Sequence, residues 1–417
     1  MRATVCTRLT SEPQGRTLYL LSWAAYAAAY VGRYNYSAVM GSVTAEGTLS
    51  LSAAGAVSTG YFICYAVGQI LFGLLSQCVS PYAMITAGLC GSGLCNLGMG
   101  LVPSGWMAPV WAVNGLFQAM IWPPIVRLFA ENLPLSRQKH DCVAINATTP
   151  AGTLAAYAVS AVLLQWSRWN TVFFSCGALL LGMAVVFWFG TTGLRLATRY
   201  LQQEAKQETG SGNIFSSLLA AGLVLLLIPV LLHGGLKDGV TSWIPSMIQS
   251  NFAASPAFSA AISMALPLVN LSGAYLAGWL NQRWFHNELR TSAALFTTAV
   301  LSLLALPLAV RTSLLLAVLL LAVTTASMLG INTMFINVIP VKAGKRGGAA
   351  ILSGTLNAVT YFGAAAATWG IGSAAERLGW NAVFLLWLGM AALALAVCAL
   401  LSGRWARFTA SQEGETL

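Results

Sequence analysis

Long apolar runs separated by short polar breaks make up most of this 417-residue chain. A helix that crosses about 30 Å of hydrocarbon needs roughly 20 apolar residues, and the runs have about that length. The pattern therefore predicts an all-α integral membrane protein with twelve transmembrane helices. We expect the spans at residues 17–40, 51–76, 81–102, 106–133, 141–166, 169–193, 214–248, 258–282, 290–310, 312–339, 348–375 and 379–402.

Composition supports a surface that faces lipid. Only 8% of the residues are charged, and the mean hydropathy is +0.73. A soluble domain of this size carries roughly 25% charged residues, so this chain lacks the charge to cover a water-facing surface. The net charge of +10 does not indicate nucleic-acid binding, because the basic residues lie in loops between apolar runs. The eight cysteines form no CxxC motif or Cys/His cluster, so we expect neither a disulfide framework nor a metal site. No cofactor is predicted.

One long polar stretch divides the chain into two similar parts. It covers residues 194–213, between an N-terminal half (1–193) and a C-terminal half (214–417), and we interpret it as a cytoplasmic linker. Two motifs recur at one offset of 211 residues: Asn146-Ala147-x-Thr149-x-x-Gly152 as Asn357-Ala358-x-Thr360-x-x-Gly363, and Trp169-Asn170-x-Val172-Phe173 as Trp380-Asn381-x-Val383-Phe384. Two six-helix halves of this kind are typical of the major facilitator fold, in which the halves rock around a site near the midplane.

The basic residues predict the orientation. Most of the 21 fall on the side of the N-terminus, whereas Arg168, Arg311 and Arg377 fall on the other side. Positive charge accumulates in cytoplasmic loops, so we expect a multi-pass protein of the cell (inner or plasma) membrane with both termini in the cytoplasm.

Arg33 is a basic residue deep inside the first span. It lies about 16 residues from the start of that span, which is ~24 Å along a helix. A charge at this depth costs at least about 2.5–3.5 kcal/mol unless it faces a cavity or a partner. Tyr26, Tyr30 and Ser37 share its helix face and form a polar stripe with it. The alternative is an internal ion pair that locks helices together, but the first span contains no acid near Arg33.

Lys237 is a second buried base, in span 7, which is the repeat counterpart of span 1. His233 and Thr241 share its helix face, whereas Asp238 points about 100° away on an α-helix. Two cations on equivalent helices would face each other across a central cavity, and a bound anion would relieve their repulsion. Arg33 would give two parallel hydrogen bonds to an oxyanion, and Lys237 a point charge. A structural Asp238–Lys237 pair is the alternative.

Several segments resemble the organophosphate:phosphate antiporter family of the major facilitator superfamily. Span 4 reads Asn114-Gly-Leu-Phe-Gln118-Ala-Met-Ile-Trp122-Pro123-Pro124, similar to the NGxxQGxxWPP signature of that family with Ala119 at the second Gly. Three further segments are similar: Tyr30-Val-Gly-Arg33-Tyr-Asn35-Tyr-Ser37, Lys237-Asp238-Gly-Val-Thr-Ser-Trp243-Ile-Pro245, and the stretch from Arg346 through Gly354 to Asn357 and Tyr361.

The resemblance implies roles for individual residues. It implies that Arg33 and Lys237 clamp a phosphoryl group and that five residues line the cavity: Tyr26, Tyr30, Gln118, Trp122 and Tyr361. We add Gln69, Asn357 and His233 as candidate substrate-binding residues, and Asp238 and Thr149 as candidate coupling or gating residues. Known phosphate-exchanging members have a Lys at Gln69 and a His at Thr149, and fewer cations mean a weaker attraction for a dianion. The charged Gly-x-Leu-x-Asp-Arg loop of the superfamily ends here in Gln77 and Cys78, without its gating charges.

The predicted function is secondary active transport of an organic anion by alternating access. The resemblance implies a sugar phosphate or glycerol phosphate exchanged for inorganic phosphate, moved by a monomer in the lipid bilayer. One alternative is a proton-coupled symporter of a carboxylate or sugar acid, with His233 or Asp238 as the proton carrier. Another is a membrane receptor that senses a sugar phosphate without net transport. An enzyme is not expected, because no nucleophile–base constellation is evident.

Overall fold

The computed structural model describes residues 5–8, 12–76, 79–133, 141, 144–197, 199–202, 223–343 and 349–414. Almost all of these residues are helical, and they form twelve long helical elements that we label α1 to α12. The N-terminal half contains α1 (Glu12–Ala45), α2 (Leu51–Leu75), α3 (Pro81–Met99), α4 (Ser104–Ala119 and Trp122–Asn132), α5 (Thr148–Leu163, after a 3₁₀ turn Ile145–Ala147) and α6 (Trp169–Gly190). The C-terminal half contains α7 (Val224–Phe252), α8 (Pro256–Phe285), α9 (Glu288–Thr312), α10 (314–343), α11 (Ala349–Leu378) and α12 (Trp380–Gly414).

The predicted all-α membrane architecture is confirmed. Among the described residues, seven helices are long and apolar enough to cross a membrane by length and composition: α2, α6, α7, α8, α9, α10 and α12. The helix α1 is less apolar because it carries the polar stripe around Arg33. A short helix, Thr192–Ala197, follows α6, and the strands Val5–Arg8 (β1) and Arg199–Gln202 (β2) pair antiparallel. The strand pairing was not predicted. Part of the predicted linker (198 and 203–213) and the loop residues Gln77 and Cys78 lie outside the described residues.

Two helices are irregular where the candidate residues occur. The helix α4 is interrupted at Met120 and Ile121, just before Trp122-Pro123-Pro124, because proline has no N–H to continue the hydrogen-bond ladder. The helix α7 contains a π-helical turn, Gly235–Gly239, which carries Lys237 and Asp238. Single π turns of this kind occur frequently at functional sites.

The two halves repeat in structure as well as in sequence. The matched tryptophans Trp169 and Trp380 are the first residues of α6 and α12. The matched glycines have equivalent neighbours: Gly152 of α5 lies against α1, and Gly363 of α11 lies against the carbonyl of Leu231 in α7. A side chain at either glycine would collide with the neighbouring backbone, so both positions permit close helix packing. The pairs α1–α5 and α7–α11 therefore correspond.

The halves contact each other mainly through α2 with α11, α1 with α7, and α5 with α8. We call the side on which α1 begins and α12 ends the terminal side, and the other the far side. The hydrogen bonds between described residues of the two halves lie level with Arg33 or toward the far side. On the far side they are Ser52 N to Glu376 Oε2 (2.7 Å), Thr59 Oγ1 to Ala365 O (2.8 Å) and Tyr157 OH to Thr241 O (3.1 Å).

Candidate anion-binding site

A cavity lies between the halves, and its empty volume including the mouth is about 590 Å³. Its lining comes from helices of both halves: Tyr30, Arg33, Tyr34, Thr149, Pro150, Thr153, Lys237, Asp238, Thr241, Pro267, Asn270, Thr325, Leu329 and Tyr361. Six of the candidate substrate-binding and gating residues are among them: Tyr30, Arg33, Thr149, Lys237, Asp238 and Tyr361. The structure therefore brings both predicted cations to one cavity.

Arg33 sits in a cage of aromatic rings. The residue is 7% exposed, and its guanidinium carbon lies 4.7 to 5.7 Å from six ring centroids. The rings belong to Tyr30, Tyr34, Tyr61, Phe62, Tyr65 and Tyr361. The negative π faces attract the cation, and such contacts are worth about 2 kcal/mol when they are desolvated. Within the described part of the chain, the buried Nε and Nη2 atoms have no hydrogen-bond partner. The side chain thus keeps donors available for a ligand.

Lys237 has a different environment. Its side chain is 20% exposed, and its Nζ lies 3.3 Å from Oδ2 of Asp238. The Oδ1 atom of that carboxylate accepts a hydrogen bond of 3.0 Å from the hydroxyl of Tyr34, in the other half. In the π turn consecutive side chains are closer in angle than in an α-helix, which brings the two charged groups together. Asp238 therefore pairs with its neighbour in sequence and also with another helix.

Tyr361 connects the two cations. Its ring centroid is 5.2 Å from the guanidinium carbon of Arg33 and 5.5 Å from Nζ of Lys237. The ring also meets Tyr65 edge to face, with centroids 4.7 Å apart. One aromatic ring from α11 therefore lies within cation–π distance of a charge from each half.

Neutral polar groups line another part of the cavity. Thr149 and Thr153 come from α5, and Asn270 and Thr325 come from α8 and α10. Thr325 donates a hydrogen bond of 2.7 Å to Oδ1 of Asn270, which leaves the amide N–H groups of Asn270 as donors. Hydroxyl and amide groups of this kind suit the uncharged, hydroxylated part of a ligand.

The remaining candidate residues lie outside the cavity lining. They are Tyr26, Gln69, Gln118, Trp122, His233 and Asn357. Tyr26 stacks on Trp122 with centroids 4.8 Å apart and meets Tyr30 edge to face at 5.1 Å. Tyr26 therefore links Trp122 to Tyr30, which is one ring of the aromatic cage around Arg33.

Three of the four amide and imidazole side chains outside the lining, those of Gln69, Gln118 and His233, have partners within their own half. Gln118 Nε2 donates to the carbonyl of Ala29 (3.0 Å) and to the hydroxyl of Ser92 (2.8 Å). Gln69 makes a long contact of 3.5 Å with the carbonyl of Ala119. His233 is fully buried and contacts the carbonyl of Met328 through Nε2 at 3.0 Å, while Asn357 is half-buried.

Sequence reasoning missed several residues of the site. They are Tyr34, Tyr61, Phe62, Tyr65, Thr153 and Thr325. Tyr61 and Tyr65 are one helical turn apart in α2, so the sequence already indicated that both rings lie on one helix face. No sequence pattern indicated the role of Tyr34, because its contact with Asp238 depends on how the halves are arranged.

Residues 22–368 match the family model described as Major Facilitator Superfamily. The chain is 23% identical over 304 residues to the membrane sensor protein UhpC of Salmonella typhimurium, covering 69% of this chain and 68% of the relative. It is also 23% identical over 299 residues to the glycerol-3-phosphate transporter of Bacillus subtilis, covering 66% of each. A probable hexose phosphate transport protein of Chlamydia pneumoniae is 22% identical, over 38% of this chain and 35% of the relative. The predicted resemblance to the organophosphate:phosphate antiporter family is thereby confirmed.

Solved structures show the same fold. A bacterial homologue of the human lysosomal transporter Spinster, in an inward-facing and occupied conformation, superposes with a TM-score of 0.78. It is 14% identical, and the match covers 95% of this chain and 99% of that structure. A D-xylose–proton symporter superposes with a TM-score of 0.72 at 13% identity, covering 92% and 97%. The predicted major facilitator fold, with twelve helices in two halves, is confirmed.

Proposed function

Because the chain belongs to the Major Facilitator Superfamily, we propose that it is a secondary active transporter of an organic anion. The observation that carries the proposal is the convergence of Arg33 and Lys237, from opposite halves, on one cavity. Two cations with one counterion leave a positive charge that an anion would neutralise in a medium of low dielectric constant. The names of the relatives point to an organophosphate, such as a sugar phosphate or glycerol phosphate.

Arg33 and Lys237 would contribute to anion binding in different ways. The free donors of Arg33 suit two parallel hydrogen bonds to phosphoryl oxygens, and Lys237 supplies a point charge from the other half. The aromatic cage holds the guanidinium group in place before the substrate arrives, which lowers the ordering cost of binding. The uncharged part of the substrate would lie against Asn270 and Thr325.

Transport would follow from rocking of the halves around this site. The proposed topology places residues 1–193 and 214–417 in the two halves, joined by the segment 194–213, with both termini in the cytoplasm. The terminal side is then cytoplasmic, and hydrogen bonds such as Ser52–Glu376 close the far side in an inward-facing arrangement. They must break for the cavity to open outward. We further propose that a monomer in the cell membrane exchanges the organophosphate for inorganic phosphate, driven by gradients.

Flux into proteoliposomes tests the proposal. Vesicles loaded with phosphate should take up labelled glucose 6-phosphate or glycerol 3-phosphate, and Arg33→Ala should abolish the uptake. Arg168→Ala is the matched control, because this exposed cation pairs with Glu46 outside the cavity. If neither compound moves, and Arg33→Ala changes the uptake of no organic anion, the proposal is wrong.

A sensor is the second candidate, because two of the relatives are named membrane sensor proteins. A sensor would bind a sugar phosphate without moving it. Saturable binding to the purified protein, together with no flux in the same vesicles, would favour this function over transport.

A proton-coupled symporter is the third candidate, and the carboxylate of Asp238 in the cavity supports it. Uptake driven by an inward proton gradient, with no phosphate inside the vesicles, would favour symport. Uptake that requires internal phosphate would favour exchange.

A further inference from the structure

The net charge of the cavity lining follows from three side chains. Arg33 and Lys237 are positive, and Asp238 is the one carboxylate among the lining residues. Its side chain is only 4% exposed and lies 3.3 Å from Lys237, so water screens the pair weakly. The lining therefore carries one formal positive charge rather than two.

Among the described residues, the neighbourhood of Asp238 adds no second acid. The titratable groups that interact with its carboxylate are Tyr34, Tyr61, His233 and Lys237, and Tyr30, Arg33 and Tyr361 share the cavity lining with it. The residues that α10 contributes to the lining, Thr325 and Leu329, are neutral. Thr149 is neutral and Gln69 lies outside the lining, so Arg33 and Lys237 are the cations that offset the carboxylate among the described lining residues.

We propose that Asp238 determines the charge of the substrate, so that the site selects singly charged organic anions over phosphate dianions. The inference rests on the proposed function and sharpens its substrate class. The carboxylate of Asp238 already forms an ion pair with the Lys237 ammonium group, with Oδ2 and Nζ 3.3 Å apart. A single negative charge on the ligand neutralises the lining, whereas a second charge would face Asp238 with no cation left to balance it. Suitable ligands include a phosphodiester, a singly protonated phosphate monoester and a carboxylate.

A purely mechanical role for Asp238 makes a different prediction. The hydrogen bond from Tyr34 joins the two halves, so the carboxylate could serve only as a latch between them. Tyr34→Phe removes that bond and leaves the charge of the lining unchanged. Asp238→Asn removes the charge with little change of shape. A charge-selecting residue responds to the second substitution alone, and a latch responds to both.

A pair of ligands that differ by one charge and one methyl group tests the proposal. Glucose 6-phosphate carries two negative charges at pH 8, and its methyl phosphodiester carries one. We expect the wild-type protein, in nanodiscs at pH 8, to bind the diester about tenfold more tightly or better. Asp238→Asn should shift the ratio of the two dissociation constants by about tenfold or more toward the monoester. Tyr34→Phe should leave the ratio unchanged, as should the control Glu46→Gln, which removes an exposed carboxylate outside the cavity.

A measurement on the wild-type protein covers the case in which Asp238→Asn does not fold. The second ionisation of a phosphate monoester has a pKa of about 6. At pH 5.5 glucose 6-phosphate is mostly singly charged, so its affinity relative to the diester should rise compared with pH 8. An unchanged ratio would contradict the inference.

The outcomes separate this inference from the proposed function. If the wild type binds the dianion at least as tightly as the diester, and Asp238→Asn leaves the ratio unchanged, the inference is wrong while organophosphate transport stands. If neither phosphorylated probe binds, the organophosphate proposal fails. The charge inference then stands only if two results are obtained with carboxylate ligands. The singly charged gluconate must bind to the wild-type protein, and Asp238→Asn must shift the ratio of dissociation constants from gluconate toward the doubly charged glucarate.

Discussion

Arg33 and Lys237 occupy corresponding helices of the two halves, but their surroundings differ. Arg33 is 7% exposed and caged by six aromatic rings, with no carboxylate within ion-pair distance among the described residues. The side chain of Lys237 is 20% exposed, has Asp238 at 3.3 Å and has one ring nearby. The N-terminal half thus presents an uncompensated cation, and the C-terminal half a compensated one.

The chemistry of the two side chains explains the difference. A guanidinium group is flat and weakly hydrated, so aromatic faces replace its water at modest cost. An ammonium group is compact and strongly hydrated, so burial requires a counterion or access to water. Lys237 has both. The comparison suggests that Arg33 supplies most of the affinity for the anion and that the Lys237–Asp238 pair adjusts it.

Substitution of Arg33 should have the largest effect. We expect Arg33→Ala to lower kcat/KM for the transported anion at least about 100-fold, because loss of a buried charge partner costs about 2–5 kcal/mol. Arg33→Lys should recover little, since an ammonium group neither fills the cage nor forms two parallel hydrogen bonds. Initial rates in proteoliposomes, corrected for reconstituted protein, measure both. If Arg33→Lys retained more than about half of the activity, charge alone would explain the site and the cage would be incidental.

Substitution of Lys237 should have a smaller effect that a second substitution reverses. Lys237→Gln leaves Asp238 unpaired in the cavity, and we expect transport to fall about 10- to 100-fold. Adding Asp238→Asn restores one net positive charge, so the double variant should recover at least about tenfold. The measurement is kcat/KM in a double-mutant cycle. Equal activity of Lys237→Gln and the double variant would show that the pair does not act through its charge.

Tyr361 is the point at which the two environments meet, and its ring should matter more than its hydroxyl. Tyr361→Leu removes a π face from both cations, and we expect a fall in affinity of about 5- to 30-fold from a cation–π term of roughly 1–2 kcal/mol. Tyr361→Phe keeps the ring and should stay within about twofold of wild type. Ligand titration of the purified variants measures both constants. A large loss in Tyr361→Phe would instead assign a hydrogen bond to the hydroxyl.

The sequence alone predicted the features that follow from the requirements of a lipid bilayer. Apolar runs long enough to span lipid predicted the helices, and the cost of burying Arg33 and Lys237 marked both as cavity residues. The π turn at Gly235–Gly239 was not predicted, because the apolar pattern of span 7 does not distinguish a single π turn from a continuous α-helix. The bond from Tyr34 to Asp238 joins residues 204 positions apart and depends on how the two halves are arranged.

Gln118 shows the limit of a motif. It belongs to the most specific segment of the family resemblance, yet its amide donates to Ala29 and Ser92, inside the N-terminal half and outside the cavity lining. Its position fixes α4 and α3 against α1, just N-terminal of the aromatic cage. In the arrangement described here, the motif therefore contributes to the position of the Arg33 helix rather than to direct contact with a ligand.

We expect the smallest effect from substitution of Gln118, because its side chain lies outside the cavity lining. Gln118→Leu should change the KM of transport by less than about twofold and lower stability by about 0.6–1.7 kcal/mol, the range of side-chain hydrogen bonds between membrane helices. Thermal unfolding in detergent and transport kinetics on the same preparation separate the two quantities. If KM rose tenfold while the Tm stayed constant, Gln118 would reach the substrate in another conformation of the transport cycle.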